Sequence, residues 1–276
     1  MRKPTIWTAV ALSACVAAAE AREISREELK AALEKNPDIV LDVIKNNKKA
    51  FIDVLNEAIQ EEQARRQKEA EEAEKKDFEE SFKNPKAPEI SEKTRIRGNK
   101  SAKYTLVEYS DFQCFYCGKA YHTVEALRKK YGTDLRFVYK NKPLGNHPEA
   151  MPAALHFEAA ALQSAEKAWA FHDALFQHQD RLGEPFYKEV AAKLGLDMKR
   201  LQADAKSDAV REKVMTDLQE SEKFGFTGTP GFLLNGIPIR GAYPEDFFHS
   251  VIKRLDLAGK EPAAGSRPPS QDKQPD

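Results

Sequence analysis

Residues 104–117 read YTLVEYSDFQCFYC. The first six of these residues are mostly aromatic, β-branched or aliphatic, which predicts a buried strand over Tyr104 to Tyr109. That strand leads directly into Cys114 and Cys117, and the pattern that follows predicts a helix from Cys114 to about Tyr131. The two cysteines therefore lie at a strand-to-helix junction, with Cys114 at the start of the helix.

This junction indicates redox chemistry. At a helix start, unpaired backbone N–H groups and the helix dipole stabilise a thiolate, so we expect Cys114 to be the nucleophile. Cys117, one turn into the helix, is placed to resolve a mixed disulfide by attacking Cys114. The sequence thus predicts a redox-active disulfide between Cys114 and Cys117 and no other cofactor.

Two other interpretations of the cysteine pair exist. A Cys-x-x-Cys also forms half of a zinc site, but the only other cysteine is Cys15 and none of the six histidines falls at an obvious ligand spacing. We therefore expect no metal. An inert buried pair is the second alternative; a disulfide across so small a loop constrains the unfolded chain little, so stability alone does not explain it.

The composition argues against a nucleic-acid-binding protein and against a membrane-spanning protein. The chain has 276 residues, with 44 basic and 44 acidic side chains, so no net field attracts nucleic acid. No apolar run reaches the roughly 18–20 residues that a membrane span needs.

The N-terminus predicts export. Arg2 and Lys3 precede a short apolar stretch, and Ala19-Glu20-Ala21 supplies small residues for cleavage, so residues 1–21 are interpreted as a signal peptide. Leu12-Ser13-Ala14-Cys15 also resembles a lipobox, which leaves a lipoprotein anchored through Cys15 as the alternative. Either way, a periplasmic or otherwise exported location is expected, where disulfides persist.

Two helical segments are predicted next. Residues 22–60 carry an apolar stripe at three- and four-residue steps, with Asn47 on the same stripe as a polar register residue. Because this segment has no partner of its own, it either self-associates or docks on the main domain; we predict an oligomerisation stalk. Residues 61–87 are dominated by charge, with opposite charges four residues apart, and predict a solvated helical linker.

Residues 88–258 give the order β-α-β, a helical block at about 148–223, then β-β-α. This order predicts an α/β fold class, a thioredoxin-like sheet with a helical insertion. The hairpin is marked by Asn235-Gly236, and Pro238 places its second strand at or near an edge. A last helix is predicted from Pro244. Residues 259–276 are predicted to be a disordered tail from their composition.

Three further residues join the predicted site. Glu108, on the strand before the cysteines, is either a buried acid that accepts the Cys117 proton or an exposed strand residue. Pro230 is interpreted as a strand-start proline after a cis peptide bond. The backbone of Thr229 would then pair with an extended substrate beside the sulfurs.

Residues 107–117, VEYSDFQCFYC, and residues 228–236, GTPGFLLNG, resemble the two signatures of DsbA-like thiol–disulfide oxidoreductases. The resemblance covers about Arg97 to Leu257. It implies that Cys114 is the nucleophile, Cys117 the resolving thiol, Pro230 the cis-proline and Glu108 the buried acid. The added N-terminal stalk is similar to that of the oligomeric members, the ScsC-type and DsbC/DsbG-type isomerases.

The resemblance has one departure. Many members have proline after the first cysteine, and the strongest oxidants have histidine before the second, where this chain has Phe115 and Tyr116. Tyr116 offers no imidazole, so we expect a poise that favours isomerisation or reduction over oxidation.

The sequence therefore predicts thiol–disulfide exchange on exported cysteine-containing proteins by a homo-oligomer, dimer or trimer, that a membrane redox partner reduces or oxidises. One alternative is a monomeric oxidase. The other is a non-enzymatic chaperone or a copper(I)-binding protein that uses the same cleft.

Overall fold

The computed structural model describes residues 24–258. The predicted signal peptide with its lipobox alternative, and the predicted tail 259–276, lie outside the described residues. The chain divides into two compact units, one ending at Glu69 and one beginning at Ala70. Each unit is described by itself below.

The first unit is helical, as predicted. Helix α1 (Arg26–Lys35) begins at a capping box in which the Ser25 hydroxyl accepts from the Glu28 N–H and the Glu28 carboxylate accepts from the Ser25 N–H. Helix α2 (Pro37–Asn46) has proline in its first turn. Helix α3 (Lys48–Ser81) runs from this unit into the second.

The predicted continuous stripe through Asn47 is wrong. Asn47 is the C-cap of α2, and its Nδ2 donates to the Val43 carbonyl at 2.8 Å. Asparagine readily hydrogen-bonds its own backbone, and here this bond closes α2 before α3 begins. The apolar residues on the two sides of Asn47 therefore belong to different helices.

The exposed apolar surface is concentrated in the first unit. Of the sixteen large hydrophobic residues exposed within residues 24–258, eleven lie between Ile24 and Ile59. Those of α3 are Phe51, Ile52, Val54, Leu55 and Ile59. Such a concentration of large exposed apolar side chains in one segment is typical of an interaction surface.

The predicted charged linker is not solvated along its whole length. At the end of α3, Phe78 packs against the core of the second unit, as does Phe82 just beyond it. Asp77 forms ion pairs with Lys86 at 2.8 Å and Arg240 at 2.7 Å. The last turns of α3 are therefore part of the second unit, because the sequence places aromatic residues among the charges there.

A five-stranded sheet forms the centre of the second unit. The strands are β1 (Arg95–Arg97), β2 (Tyr104–Ser110), β3 (Leu135–Asn141), β4 (Gly231–Leu234) and β5 (Ile237–Arg240). Their spatial order is β1-β3-β2-β4-β5; β2 and β3 are parallel, and the other neighbours are antiparallel. The predicted thioredoxin-like arrangement is confirmed, and Pro238 lies on the edge strand as expected.

Strand β1 was not predicted. It has three residues, two of them arginines, so neither length nor alternation indicates a strand. It forms because Ile96 pairs with Val138 of β3, while Arg97 forms an ion pair with Asp173 at 2.7 Å. Tertiary partners, rather than local preference, stabilise this edge.

Helices flank the sheet, and most of their buried side chains pack on one of its faces. Helix α4 (Phe115–Tyr131) follows β2, and α10 (Glu245–Ala258) ends the unit. The insertion between β3 and β4 contains five helices: α5 (Ala150–Gln163), α6 (Ala165–Gln177), α7 (Glu184–Lys193), α8 (Met198–Ala205) and α9 (Asp208–Lys223). The main core lies between one sheet face and α4 with the insertion; a smaller one, around Tyr109 and Phe226, lies on the opposite face.

Candidate functional site

Strand β2 and helix α4 position the two cysteines. Every residue of β2 except Thr105 is buried, and the strand ends at a tight turn before α4. Cys114 is the N-cap of α4, with φ −71° and ψ 123°, and its N–H donates to the Asp111 carbonyl at 3.1 Å. The predicted strand-to-helix junction is confirmed, and the thiol of Cys114 lies at the helix start.

The turn before Cys114 is held by side chains that the sequence did not single out. Asp111 is buried, and its carboxylate accepts from the N–H groups of Gln113 and Leu144 at 2.8 and 2.9 Å and pairs with His147 Nδ1 at 2.8 Å. Gln113 Oε1 accepts from the Glu149 N–H at 2.6 Å. An aspartate three residues before a helix cap was the one available signal, since aspartate commonly closes such turns.

The two thiols have different acidities. The pKa of Cys114 is lowered to about 5, because the Cys117 thiol donates a hydrogen bond to it, with smaller contributions from Thr229 and from the N–H groups of Cys117 and Tyr116. Burial raises the pKa of Cys117 well above its usual value, and its bond to Cys114 and the charge of Glu108 raise it further. The site therefore holds one thiolate and one thiol near neutral pH, in the predicted order.

Glu108 is buried beneath the cysteines, so the exposed-strand interpretation is wrong. Its side chain shares the core face of β2 with Leu106, and burial raises its pKa to about 8. The Ser110 hydroxyl donates to Glu108 Oε1 at 2.7 Å and also lowers the pKa of Cys117. Ser110, which the sequence did not indicate, thus interacts with both the buried acid and the resolving thiol.

The segment opposite the cysteines brings Thr229 and Pro230 into the site. The Thr229–Pro230 peptide bond is cis, as predicted. Cys114 Sγ lies 3.6 Å from the Thr229 carbonyl oxygen. The Thr229 hydroxyl is buried, makes no other hydrogen bond within residues 24–258, and lowers the pKa of Cys114 from its place beside that sulfur. A buried hydroxyl beside a thiolate has one evident role, which is to donate to that thiolate.

We therefore expect Thr229→Val to raise the pKa of Cys114. Valine keeps the shape of threonine but removes the donor, and a hydrogen bond to a charged group contributes roughly 1.5–3 kcal/mol. If about half of this acts on the thiolate, the pKa rises by about one unit. Titrating the thiolate absorbance of both proteins measures the shift. Superimposable titration curves would show that Thr229 does not contact the thiolate.

The two residues between the cysteines face outwards. Phe115 and Tyr116 are 64% and 58% exposed, and Lys119 Nζ lies 4.6 Å from the centre of the Phe115 ring. The site thus presents an aromatic surface beside a buried nucleophile. Among residues 24–258, no group of three or more potential metal-ligand side chains occurs.

A family model described as thioredoxin matches residues 90–254, more than half of the chain. Among solved structures, the thioredoxin-like oxidoreductase of Silicibacter pomeroyi DSS-3 is similar with a TM-score of 0.56 and 27% identity, over 60% of this chain and 94% of that one. The catalytic domain of Proteus mirabilis ScsC has a TM-score of 0.54 and 20% identity, over 62% and 92%.

One curated relative of this chain is a much longer protein. The Na(+)/H(+) antiporter NhaA of Herminiimonas arsenicoxydans is 41% identical over 169 residues, which are 61% of this chain and 26% of that protein. The chain thus spans about a quarter of the length of the curated relatives that it matches. In the part of this chain that the structure describes, no helix has the length and apolar character to cross a membrane.

Proposed function

Because the chain belongs to the thioredoxin family and has a DsbA-like form of that fold, we propose that it is an exported thiol–disulfide oxidoreductase that acts on protein disulfides. Cys114 is its nucleophile and Cys117 its resolving thiol. One observation carries the proposal: Cys114 is the cap of α4 with its pKa lowered to about 5, directly beside a cysteine whose pKa is raised.

The first step is attack by the Cys114 thiolate on one sulfur of a substrate disulfide. The substrate S–S bond breaks, a mixed disulfide forms, and the other substrate sulfur leaves as a thiolate. In isomerisation that thiolate attacks a second disulfide of the substrate, and a substrate thiolate finally displaces Cys114. This sequence consumes no electrons, so Cys114 is regenerated as it began.

The second route is resolution by Cys117. Its proton passes to Glu108 in those molecules whose carboxyl is ionised, a fraction that grows as the pH rises through the Glu108 pKa of about 8. The Ser110 hydroxyl donates to Glu108 Oε1 at 2.7 Å. The Cys117 thiolate then attacks Cys114 Sγ, so that the Cys114–Cys117 disulfide forms and the substrate leaves with two thiols. Two electrons have moved to the substrate, and a membrane redox partner must return them to the pair.

The redox poise proposed for the Cys114–Cys117 pair favours isomerisation or reduction over oxidation. The pKa values of thioredoxin-fold nucleophiles range from about 3.5 in a strong oxidant to about 7 in a reductant. The pKa of about 5 at Cys114 lies between these limits, so this poise is inferred from the residues between the cysteines. Tyr116 is exposed and provides no imidazole to stabilise the thiolate further. The monomeric oxidase, and a chaperone or copper(I) carrier that uses the same cleft, remain the competing functions.

Two activities and one potential test the proposal. We expect the wild-type protein to reduce insulin and to reactivate scrambled ribonuclease, with a reduction potential nearer about −180 mV than about −120 mV. A potential near the second value without ribonuclease reactivation would indicate the oxidase. A Cys114→Ala/Cys117→Ala variant that keeps full activity in cells would indicate the chaperone, and would refute disulfide exchange.

We also propose that the first unit makes the protein a homo-oligomer. The support is the exposed apolar surface of residues 24–59, which a second copy of the same helices would cover. An assembly would present several Cys114 sites to one misfolded substrate, which raises their effective concentration.

Phe51→Glu/Leu55→Glu is therefore expected to give a monomer. Both side chains are about half exposed on α3, and two carboxylates at an apolar interface are costly to bury. Sedimentation at micromolar concentration measures the mass, and insulin reduction per Cys114 should remain unchanged. Glu57→Gln, an exposed change on the same helix, is the control. A wild-type protein that sediments as a monomer would contradict this prediction.

A further inference from the structure

Gln179 extends from the helical insertion to the turn that carries the nucleophile. It lies in a short 3-10 helix, Gln179–Arg181, just after α6. Its Nε2 donates to the carbonyl oxygen of Phe112 at 2.8 Å and to that of Cys114 at 2.9 Å. An amide nitrogen has two hydrogens, so each carbonyl receives one of them. The side chain thus joins the two carbonyls on either side of Gln113.

The oxygen end of the Gln179 amide explains why residue 118 is a glycine. Gly118 follows Cys117 inside α4, where glycine costs about 1 kcal/mol relative to alanine. The backbone at position 118 does not require glycine, because Gly118 is not among the residues with a positive φ. A Cβ at Gly118 would instead lie 2.1 Å from Gln179 Oε1 and 2.8 Å from Gln179 Cδ. The missing side chain leaves the space that the amide fills.

This contact bears on Cys114 through its backbone. The Cys114 carbonyl accepts the first helical bond of α4, from the Gly118 N–H at 3.1 Å, and the Gln179 bond is its second. Both bonds hold Cys114 in the cap conformation that directs Sγ towards the N–H groups of Tyr116 and Cys117. The amide hydrogens also offset the negative ends of two carbonyl dipoles close to the thiolate.

We propose that Gln179 is a positioning residue for disulfide exchange, whose amide clamps the carbonyls of Phe112 and Cys114 and is admitted by Gly118. The inference rests on the proposed function of Cys114 as the nucleophile. It assigns the helical insertion a direct part in the chemistry, since the insertion supplies the residue that orders the thiolate. In this role Gln179 acts on the chemistry through the backbone carbonyls of Phe112 and Cys114.

The first test uses Gln179→Ala in the full-length protein, with Gln177→Ala as its matched control. Gln177 lies two residues away and donates to the Tyr121 hydroxyl of α4 at 3.1 Å, beyond the cysteine turn. Loss of one hydrogen-bonding group should raise the pKa of Cys114 by about half a unit, measured by thiolate absorbance. Alkylation of Cys114 should then slow by about twofold near pH 5 and remain unchanged near pH 8.

The second test uses Gly118→Ala, which inserts a methyl group where the amide lies. It should raise the pKa of Cys114 as Gln179→Ala does, because the amide must leave both carbonyls. The double variant should have the pKa of either single variant, because one clamp cannot be lost twice. In addition, Gly118→Ala should raise Tm in the Gln179→Ala background and should not do so in the wild type.

These measurements need no substrate, so they are independent of the proposed function, which insulin reduction tests. If Gln179→Ala does not fold, the Gly118→Ala titration decides the matter alone. A purely structural role for Gln179 would change Tm without moving the titration curve. A Cys114 pKa that is equal in wild type, Gln179→Ala and Gly118→Ala would overturn the proposal.

Discussion

Cys114→Ser is expected to lower insulin reduction by at least about 10³-fold, because no other cysteine of residues 24–258 forms a thiolate near neutral pH. Cys117 cannot replace it, since its side chain is fully buried and its pKa is raised. The two serine variants should therefore behave differently. Cys117→Ser keeps the nucleophile and should accumulate as a mixed disulfide with the substrate, because nothing resolves it.

Labelling tests the same assignment without a substrate. At mildly acidic pH, alkylation of the reduced wild-type protein should place the adduct on Cys114, as peptide mapping would show. The oxidised protein, in which neither sulfur is a thiol, is the control and should not react. Preferential labelling of Cys117, or a Cys114→Ser variant that still reduces insulin, would reverse the assignment.

Glu108→Gln is expected to stabilise the oxidised protein at about pH 9 by about 4–5 kcal/mol. The cause is the fully buried carboxyl, whose pKa rises from 4.5 to about 8 on folding. Stability conferred by the neutral carboxyl is complete below about pH 4.5, where both states bind the proton, and is lost as the pH rises through about 8. Glutamine remains neutral throughout and still accepts from Ser110.

Chemical denaturation at several pH values measures this difference. The two proteins should have equal free energies of unfolding near pH 4 and should diverge as the pH rises. The oxidised form is used because it carries no Cys114 thiolate to act on Glu108. A difference that does not change with pH would show that Glu108 titrates normally in the folded protein.

Glu158→Gln is the control for Glu108→Gln. Glu158 is equally buried, but its Oε2 accepts from Arg95 Nε at 2.8 Å. Removing that charge leaves a largely buried guanidinium without its partner, which destabilises proteins by roughly 3–5 kcal/mol. The two substitutions are chemically identical and should change stability in opposite directions. Their comparison separates the effect of a neutral buried acid from that of a paired one.

Glu108 shows where sequence patterns stop being informative. Its strand could be read from residue types, yet alternation left open which face its side chain occupies. In the structure both faces of β2 are covered, so no position of the central strand is solvated except Thr105. Ser110 was missed for the same reason: its contact with Glu108 depends on which face each residue takes in a strand buried on both sides.

Asn47 and the end of α3 show a second limit. An apolar period of three and four residues predicts a helix well, but it does not detect a side chain that closes the helix through its own backbone, as Asn47 does. Nor does a charged composition show that Phe78 and Phe82 reach a core elsewhere in the chain. Both errors concern where a helix ends or packs, rather than whether it exists.

The sequence by itself determined the elements and the reactive pair. Strand β2, helix α4, the hairpin with Pro238 at the sheet edge, the extent of the insertion and the roles expected of Cys114 and Cys117 all follow from signals within a few residues. Only the tertiary structure decided that Glu108 is buried, that β1 exists and that Gln179 meets Gly118 across 61 residues of chain. The physical reason is that local preference acts between neighbours, whereas these contacts depend on how the insertion folds back onto the sheet.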